Sequence, residues 1–423
     1  MSDNASQLKP PRVLCILPSV PFPADSGGNL RTLSLARALD DAFDTSTLTW
    51  ARAGEDSERF RARMRGGVYV LEKPGRFDAT LAMGISALTG RPLGYSRYGL
   101  FPKRILELLS TRQFDAIHFD HPHTALAWPL LRRLQPQAKL VLNAHNVEAE
   151  ILERLVPLSP LWKRPLFRFQ ARRIRALERG LAEAMDLVLT CSERDAEAFR
   201  AMGAKLVRVV PNAVPAFSPM AAGERRDVLF VGSMDWKPNA DAAVALARDI
   251  WPLVRGKLNN ARLVLVGRNP PEQVRALAAD DILIEGGVPS VQPYLESALA
   301  TAIPLRAGSG TRIKILEAWA AGVPVIASRI AAEGLPYQDG RDLLLAEQPA
   351  EFALELERVF DDATLAARLA DAGRKSAEPF GQATIAEATV AAYREELGIG
   401  AGASIESARR YKTAYEAAIV STA

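Results

Sequence analysis

Cysteine is nearly absent from this chain of 423 residues: only Cys15 and Cys191 occur, far apart. That excludes a disulfide scaffold and a cysteine-rich metal site, and it suits a reducing compartment. Long apolar runs are missing too. The best candidate, Ala318 to Ala327, is broken by Gly322 and Pro324, and nothing approaches the roughly 18 residues a membrane helix needs. Met1 to Pro11 is polar and Val13 to Leu17 is too short for a signal-peptide core, so a cytoplasmic protein is expected. There is little excess of either charge. Lys and Arg number 53 against 49 Asp and Glu, a net +4 that demands neither nucleic acid nor an acidic partner. At 48% hydrophobic and 24% charged the composition is that of a globular protein and excludes wholesale disorder.

What is present is a repeated opening. Arg12 to Pro18 is an apolar run of strand length, followed by a loop with Gly27 and Gly28 and the helical pattern Leu30, Leu33, Leu35, Ala38, Leu39. Asp227 to Gly232 begins a second such unit, with a helix expected over Ala240 to Arg248. Each reads as the strand, turn and helix that open a doubly wound α/β domain. Further buried strands are expected at Phe114 to Phe119, Lys139 to Ala144, Leu187 to Thr190 and Lys205 to Val210 in the first half. In the second half they are expected at Arg262 to Val266, Asp281 to Glu285, Thr301 to Leu305 and Val323 to Ala327. Near-continuous apolar strands between helices indicate parallel sheets covered on both faces. Pro211, Pro215 and Pro219 mark a linker. The expected division is 1–218, 219–383, a last helix over 384–397 returning to the first domain, and a tail over 398–423 in which no function is read.

The stretch Gly308 to Ile326 carries the most chemistry. Its glycines allow close approach to a ligand, Thr311 suits an N-cap, and Gly322 with Pro324 ends the helix. A glycine loop opening a helix presents free N–H groups and the positive end of the dipole to an anion. Arg312 and Lys314 sit where acidic residues are usual, a placement that a bound anion would explain. Glu317, three residues beyond Lys314, suits the two hydroxyls of a ribose while the cations take a diphosphate. The competing reading is a surface helix with an incidental Lys314–Glu317 pair.

Gly308-Ser-Gly-Thr-Arg-Ile-Lys-Ile-Leu-Glu317-Ala-Trp-Ala-Ala-Gly-Val-Pro resembles the signature of the group 1, family 4-like glycosyltransferases of the two-domain GT-B architecture. So do, in order, Pro21 to Arg31, His145-Asn146-Val147-Glu148 and Val231 to Asn239. The resemblance covers roughly residues 12 to 396. It implies two Rossmann-like domains facing a cleft, and transfer of a sugar from a nucleotide-diphosphate donor to a glycan or lipid-linked acceptor in polysaccharide or glycolipid synthesis. It also implies retention of configuration. By the same resemblance Glu317 holds the ribose, and Gly232, Lys237, Gly310, Thr311, Arg312 and Lys314 surround the diphosphate. Gly27 and Gly28 close on the diphosphate, Arg268 and Val288 line the base pocket, and His145 stands beside the donor sugar. Of these His145, Arg312 and Lys237 are the expected catalytic groups.

Two departures stand out. Ser309 replaces the first carboxylate of the family's E-x7-E pair, and the Arg and Lys of the loop after Gly232 are reduced to Lys237. The Ser309 departure keeps open the alternative of a catalytically silent nucleotide-sugar binder or partner subunit. No Asp-x-Asp occurs, so metal independence and no cofactor are expected, and G-x-G-x-x-G is missing, which disfavours a nicotinamide dehydrogenase. His118, Asp120, His121 and His123 have the composition of a metal cluster but follow a strand where the family has a cleft-facing histidine loop; a substrate-contacting or structural role is the better reading.

Residues 161–179 carry seven basic residues and one acid, Glu178, interleaved with Leu161, Trp162, Leu166, Phe167, Phe169, Ile174 and Leu177. This is an amphipathic basic helix. Two readings stay open: peripheral contact with an anionic membrane, or a solvated face whose apolar side packs on its own domain. One helix is too narrow a basic face for a nucleic-acid binder.

Overall fold

A computed structural model describes residues 10–22, 24, 26–51, 56–72, 86, 91–92, 95, 101, 103–157, 159–215, 217, 225–258, 260–307 and 313–398. Their strands form two sheets. The first contains β1 (Arg12–Ile16), β2 (Asp44–Ala51), β3 (Gly67–Glu72), β4 (Ala116–Asp120), β5 (Lys139–Asn143), β6 (Leu187–Thr190) and β7 (Val207–Val209), in the order 3-2-1-4-5-6-7. The second contains β8 (Asp227–Val231), β9 (Leu263–Val266), β10 (Ile282–Glu285), β11 (Ala298–Ile303), β12 (Val325–Ala327) and β13 (Leu344–Leu345), in the order 10-9-8-11-12-13. Every neighbouring pair is parallel.

The apolar runs explain the central strands. The Leu and Val of β5, β6 and β9 are all buried, as a parallel sheet with helices on both faces requires. β2 and β3 are not among the strands expected above. β2 is as buried as β1, yet it is written Asp-Thr-Ser-Thr-Leu-Thr-Trp-Ala, and the hydroxyls of Ser46, Thr47 and Thr49 are buried without a partner among the described residues. Threonine suits a strand by its β-branch but leaves no apolar run to read.

Helices connect the strands: α1 (Gly27–Ala42) follows β1, α2 (Glu148–Leu155) and α3 (Arg164–Ala184) follow β5, α4 (Lys237–Ala245) follows β8, α5 (Ile313–Ala320) follows β11, and α6 (Gln382–Leu397) comes last. Gly27 and Gly28, expected in a loop, form the first turn of α1. The cause is Ser26, whose Oγ accepts from the Asn29 amide at 3.3 Å and starts the helix there. α5 ends where Gly322 turns to φ +63°. It is held to the second sheet by Trp319, fully buried with Nε1 donating to the Asp342 carbonyl at 2.8 Å, so truncation to Ala would cost about 3–5 kcal/mol.

α6 lies on α1, beside the first sheet. Its Tyr393 is fully buried, with its ring 6.0 Å from that of Phe43 and its hydroxyl 2.7 Å from His118 Nδ1. The Val214 amide donates to the Phe380 carbonyl at 2.8 Å, so the two strands of chain that pass between the sheets run side by side. The junction near residue 219 and the tail over 399–423 lie outside the described residues.

Candidate active site

In each sheet the strand order reverses once, between β1 and β4 and between β8 and β11. Open α/β sheets bind ligands beyond the carboxyl ends of the strands at such points. A cavity of about 1040 Å³ is lined there by residues from both halves, among them Gly27, Gly28, His121 and His145 on one side and Gly232, Arg268, Lys314 and Glu317 on the other.

On the second-sheet wall the Lys314 ammonium donates to Asn239 Oδ1 at 2.7 Å and lies 4.3 Å above the Phe230 ring. Asn239 Nδ2 donates to the Ser233 carbonyl at 2.9 Å, so this one amide ties the loop after β8 to the lysine. Gly232 leaves the space: a Cβ there would stand 2.8 Å from Lys314 Nζ. One turn further along α5, Glu317 faces the same cavity, and among the described residues its carboxylate has no hydrogen-bond or ion-pair partner. Burial pushes it up to about 7, against the pull of Lys314. A fixed ammonium beside an unpartnered carboxylate suits a ligand that brings both an anion and hydroxyl donors.

Arg268 and Val288 also line the cavity. Arg268 Nε donates to Ser233 Oγ at 2.7 Å, and Ser233 Oγ donates on to Asp235 at 2.6 Å. Lys237 does not line the cavity, contrary to its expected place. Being the first residue of α4, it turns one helical turn forward, and its ammonium lies 2.6 Å from Asp241 Oδ2. Gly310, Thr311 and Arg312 lie outside the described residues.

The first-sheet wall is a closed hydrogen-bond network. Asp120 ends β4 and is wholly buried; its Oδ2 accepts from Thr32 at 2.6 Å, and its Oδ1 accepts from Asn143 Nδ2 at 2.6 Å and lies 2.9 Å from His145 Nε2. Arg31, 1% exposed, donates to Asn143 Oδ1 from Nε and Nη2 at 3.0 and 2.7 Å, and to the Val210 carbonyl at 2.6 Å. Burial opposes ionisation of Asp120, yet the hydrogen bond of His145, with those of Asn143 and Thr32, holds its carboxyl far below the usual range. Burial lowers His145 and takes His121 down to about 4, so both rings are neutral at pH 7. The two rings stack with centroids 3.6 Å apart. His121 holds φ +76°, a sparsely populated conformation for a side chain of this kind. Its amide donates to the Asn143 carbonyl at 3.0 Å, which helps keep it there.

Asp120, His121 and His145 bring ligand atoms within 4.8 Å of one another. Hydrogen bonds already occupy both Asp120 oxygens and the facing His145 nitrogen, and the stacked rings turn faces rather than lone pairs to each other; the cluster therefore reads as a network, not a ligand set. The halves meet at the cavity, where a Cβ on Gly27 would stand 3.1 Å from Ile313 Cδ1, and again where Arg154 of α2 donates to Glu333 at 2.5 and 3.0 Å.

Residues 26–216 match the model of Glycosyltransferase Family 4, and residues 225–362 match that of Glycosyl transferases group 1. The chain belongs to the group 1, family 4-like glycosyltransferases. Over 185 residues it is 30% identical to the D-inositol 3-phosphate glycosyltransferase of Acidothermus cellulolyticus, a stretch that is 40% of this chain and 41% of that one. The chain thus spans about two fifths of the curated relative it matches. Its fold is similar to that of the sucrose-phosphate synthase of Thermosynechococcus elongatus, with TM-score 0.71, 17% identity, and 92% and 99% of the two chains covered. It is also similar to Anabaena HepE in complex with UDP and glucose, with TM-score 0.64, 16% identity, and 90% and 99% covered. At these identities the likeness is one of fold, and that fold is GT-B.

Behind this family member's first-sheet wall lies a network that the sequence does not announce. Thr32 and Asn143 gave no signal, and Arg31 and Asn239 stood out only as the ends of motifs. Buried Asn, Arg and Asp on strand ends and a helix face are the trace such a network leaves, and it becomes legible only when strand order is known.

Proposed function

We propose that this chain transfers a glycosyl group from a nucleotide-diphosphate sugar to a glycan or lipid-linked acceptor, with retention of configuration and without a metal ion, in the assembly of cell-surface polysaccharide or glycolipid. The observation that carries the reading is the Glu317 carboxylate, without a partner among the described residues, one turn from the Lys314 ammonium in a cleft between two parallel sheets. Residues 219–383 are then the donor side and 1–218 the acceptor side. Glu317 accepts from both ribose hydroxyls; Lys314, with Gly310, Thr311 and Arg312, holds the diphosphate. Arg268 and Val288 flank the base, Gly27 and Gly28 admit the diphosphate from across the cleft, and His145 meets the sugar. Lys237 is left out, since Asp241 holds its ammonium. The anomeric carbon loses its bond to the leaving phosphate and gains one to the acceptor oxygen on the same face, and the acceptor proton passes to that phosphate.

The complex of HepE with UDP and glucose makes a uridine nucleotide the first to try. Calorimetric titration with UDP, GDP and ADP tests the site: one of them binds, and Glu317→Ala weakens it. Binding by none, or binding indifferent to Glu317→Ala, overturns the assignment. Ser309 favours a second reading, a silent nucleotide-sugar binder, which predicts neither transfer nor donor hydrolysis in a mixture of acceptors.

Peripheral membrane contact belongs to the same proposal. Leu161 and Trp162 are 76% exposed, Leu166 and Phe169 49%, and Arg168, Arg172 and Arg179 are exposed beside them. Apolar and cationic groups on one outer face suit an anionic lipid surface. Arg175 is tied to Glu153 at 2.7 Å and Arg164 to the carbonyls of Pro157 and Ser159, so these two serve the fold. Arg168→Glu with Arg172→Glu reduces binding to anionic vesicles; unchanged binding leaves the solvated-face reading.

A further inference from the structure

We propose that Asp120 is a positioning residue that decides which hydrogen-bonding face His145 turns to the cleft: its Oδ1 accepts a hydrogen bond from Nε2–H, and the opposite nitrogen, Nδ1, meets the sugar as an acceptor. The function of that acceptor rests on the glycosyl-transfer reading above; the assignment of the proton does not.

Asp120 has no exposed surface, so it acts on a ligand only through another side chain. The polarity of its network can be read from Arg31, which has donors alone. Two Arg31 nitrogens point at Asn143 Oδ1, which fixes the Asn143 amide and sends its Nδ2 to Asp120 Oδ1. His145 Nε2 lies 2.9 Å from that oxygen and 3.2 Å from Asn143 Nδ2. If Nε2 lacked a proton it would accept from Asn143, but its lone pair would then face a carboxylate oxygen at the shorter distance. A carboxylate that can only accept therefore puts the proton on Nε2. Nδ1 is the nitrogen on the Gly28 side, 4.0 Å from where a Cβ on Gly28 would stand, and both residues line the cavity. His121, stacked on the imidazole, opposes rotation of the ring. A neutral imidazole held in one tautomer by a buried carboxylate is a fixed acceptor for a hydroxyl.

Two measurements test this. In the full chain labelled with 15N-histidine, with His145 assigned by the loss of its signals in His145→Gln, the ring is found as the neutral Nε2–H tautomer; an Nδ1–H tautomer overturns the proposal, whether or not Asp120→Asn folds. In the second, Asp120→Asn allows an amide N–H to point at Nε2 and moves the proton to Nδ1, lowering kcat for glycosyl transfer about 10- to 100-fold while KM for the nucleotide sugar moves less than about threefold. Thr32→Val removes a different donor to the same carboxylate, leaves the tautomer alone and holds kcat within about threefold. An equal kcat loss in Thr32→Val makes Asp120 a fold anchor only and refutes the positioning role. Failure of the wild-type chain to bind or turn over nucleotide sugars counts against the glycosyl-transfer reading and leaves the tautomer measurement to judge the rest.

Discussion

Glu317→Gln separates what this carboxyl costs the fold from what it gives the site. Burial pushes its titration from the ordinary 4.5 up to about 7, so without nucleotide the group is half protonated at pH 7. Only the carboxylate accepts from two ribose hydroxyls. Nucleotide binding therefore strengthens with pH through 7, and a group titrating there predicts an affinity about tenfold higher at pH 8 than at pH 6. The terminal phosphate of UDP also titrates near 6. Glu317→Gln keeps the phosphate contribution and loses the carboxyl's, so the difference between the two calorimetric profiles isolates Glu317. At pH 8 the variant binds about 10- to 150-fold more weakly, the worth of hydrogen bonds to a charged group. Stability runs the other way. A folded-state titration near 7 against 4.5 unfolded means that the carboxyl's contribution to stability is full below 4.5 and lost as pH rises through 7. The ligand-free variant is then more stable than wild type at pH 8, by on the order of 2 kcal/mol in chemical denaturation. A flat wild-type affinity profile, or the same slope in Glu317→Gln, refutes the reasoning.

The other outcomes follow from the same two walls. Asn239→Ala frees the Lys314 ammonium from its 2.7 Å bond and weakens UDP about tenfold while uridine, which has no diphosphate, binds as before; equal losses for both would mean a general disturbance of the pocket. Lys237→Ala leaves UDP affinity within about twofold, because that ammonium is held by Asp241, whereas Lys314→Ala costs at least tenfold; titrations of the two variants side by side decide it. Gly232→Ala places a methyl 2.8 Å from Lys314 Nζ and Asn239 Cγ, so UDP binding drops while circular dichroism stays native. Glu333→Gln weakens the contact with Arg154 across the halves, and small-angle scattering shows a larger radius of gyration at low salt; an unchanged radius would show that the pair does not hold the halves together.

The fold was legible where burial on both faces writes an apolar run. β5, β6 and β9 announce themselves in Leu and Val, and the paired openings at Arg12 and Asp227 implied two doubly wound halves. β2 hides because a strand can be buried through threonine, whose hydroxyl disguises a side chain of valine's shape. Lys314 and Glu317 were readable because one helix carries both, and spacing along a helix is local information. The Asp120 network was not, since Arg31, Thr32, Asp120, Asn143 and His145 come from one helix and the ends of two strands and meet only when β1, β4 and β5 lie side by side. Lys237 was misplaced for a related reason: position in a loop does not say which way the first residue of the next helix turns, and an acid four residues on decides it.

The two walls also differ in what a ligand does for them. Around Asp120 the buried carboxylate is answered by three donors, and the geometry is in place before anything binds. Around Glu317 the carboxylate has no partner among the described residues, and its ionised form is disfavoured until hydroxyls reach it. A nucleotide therefore gains affinity on the second-sheet wall by relieving a deficit, while the first-sheet wall offers the sugar a preformed acceptor and has nothing to gain by rearranging. On this division, mutations on the second-sheet wall alter binding first, and mutations on the first-sheet wall alter turnover first. Opposite assignments, with Glu317→Gln sparing affinity and Asp120→Asn abolishing it, would mean that the nucleotide lies against the first sheet.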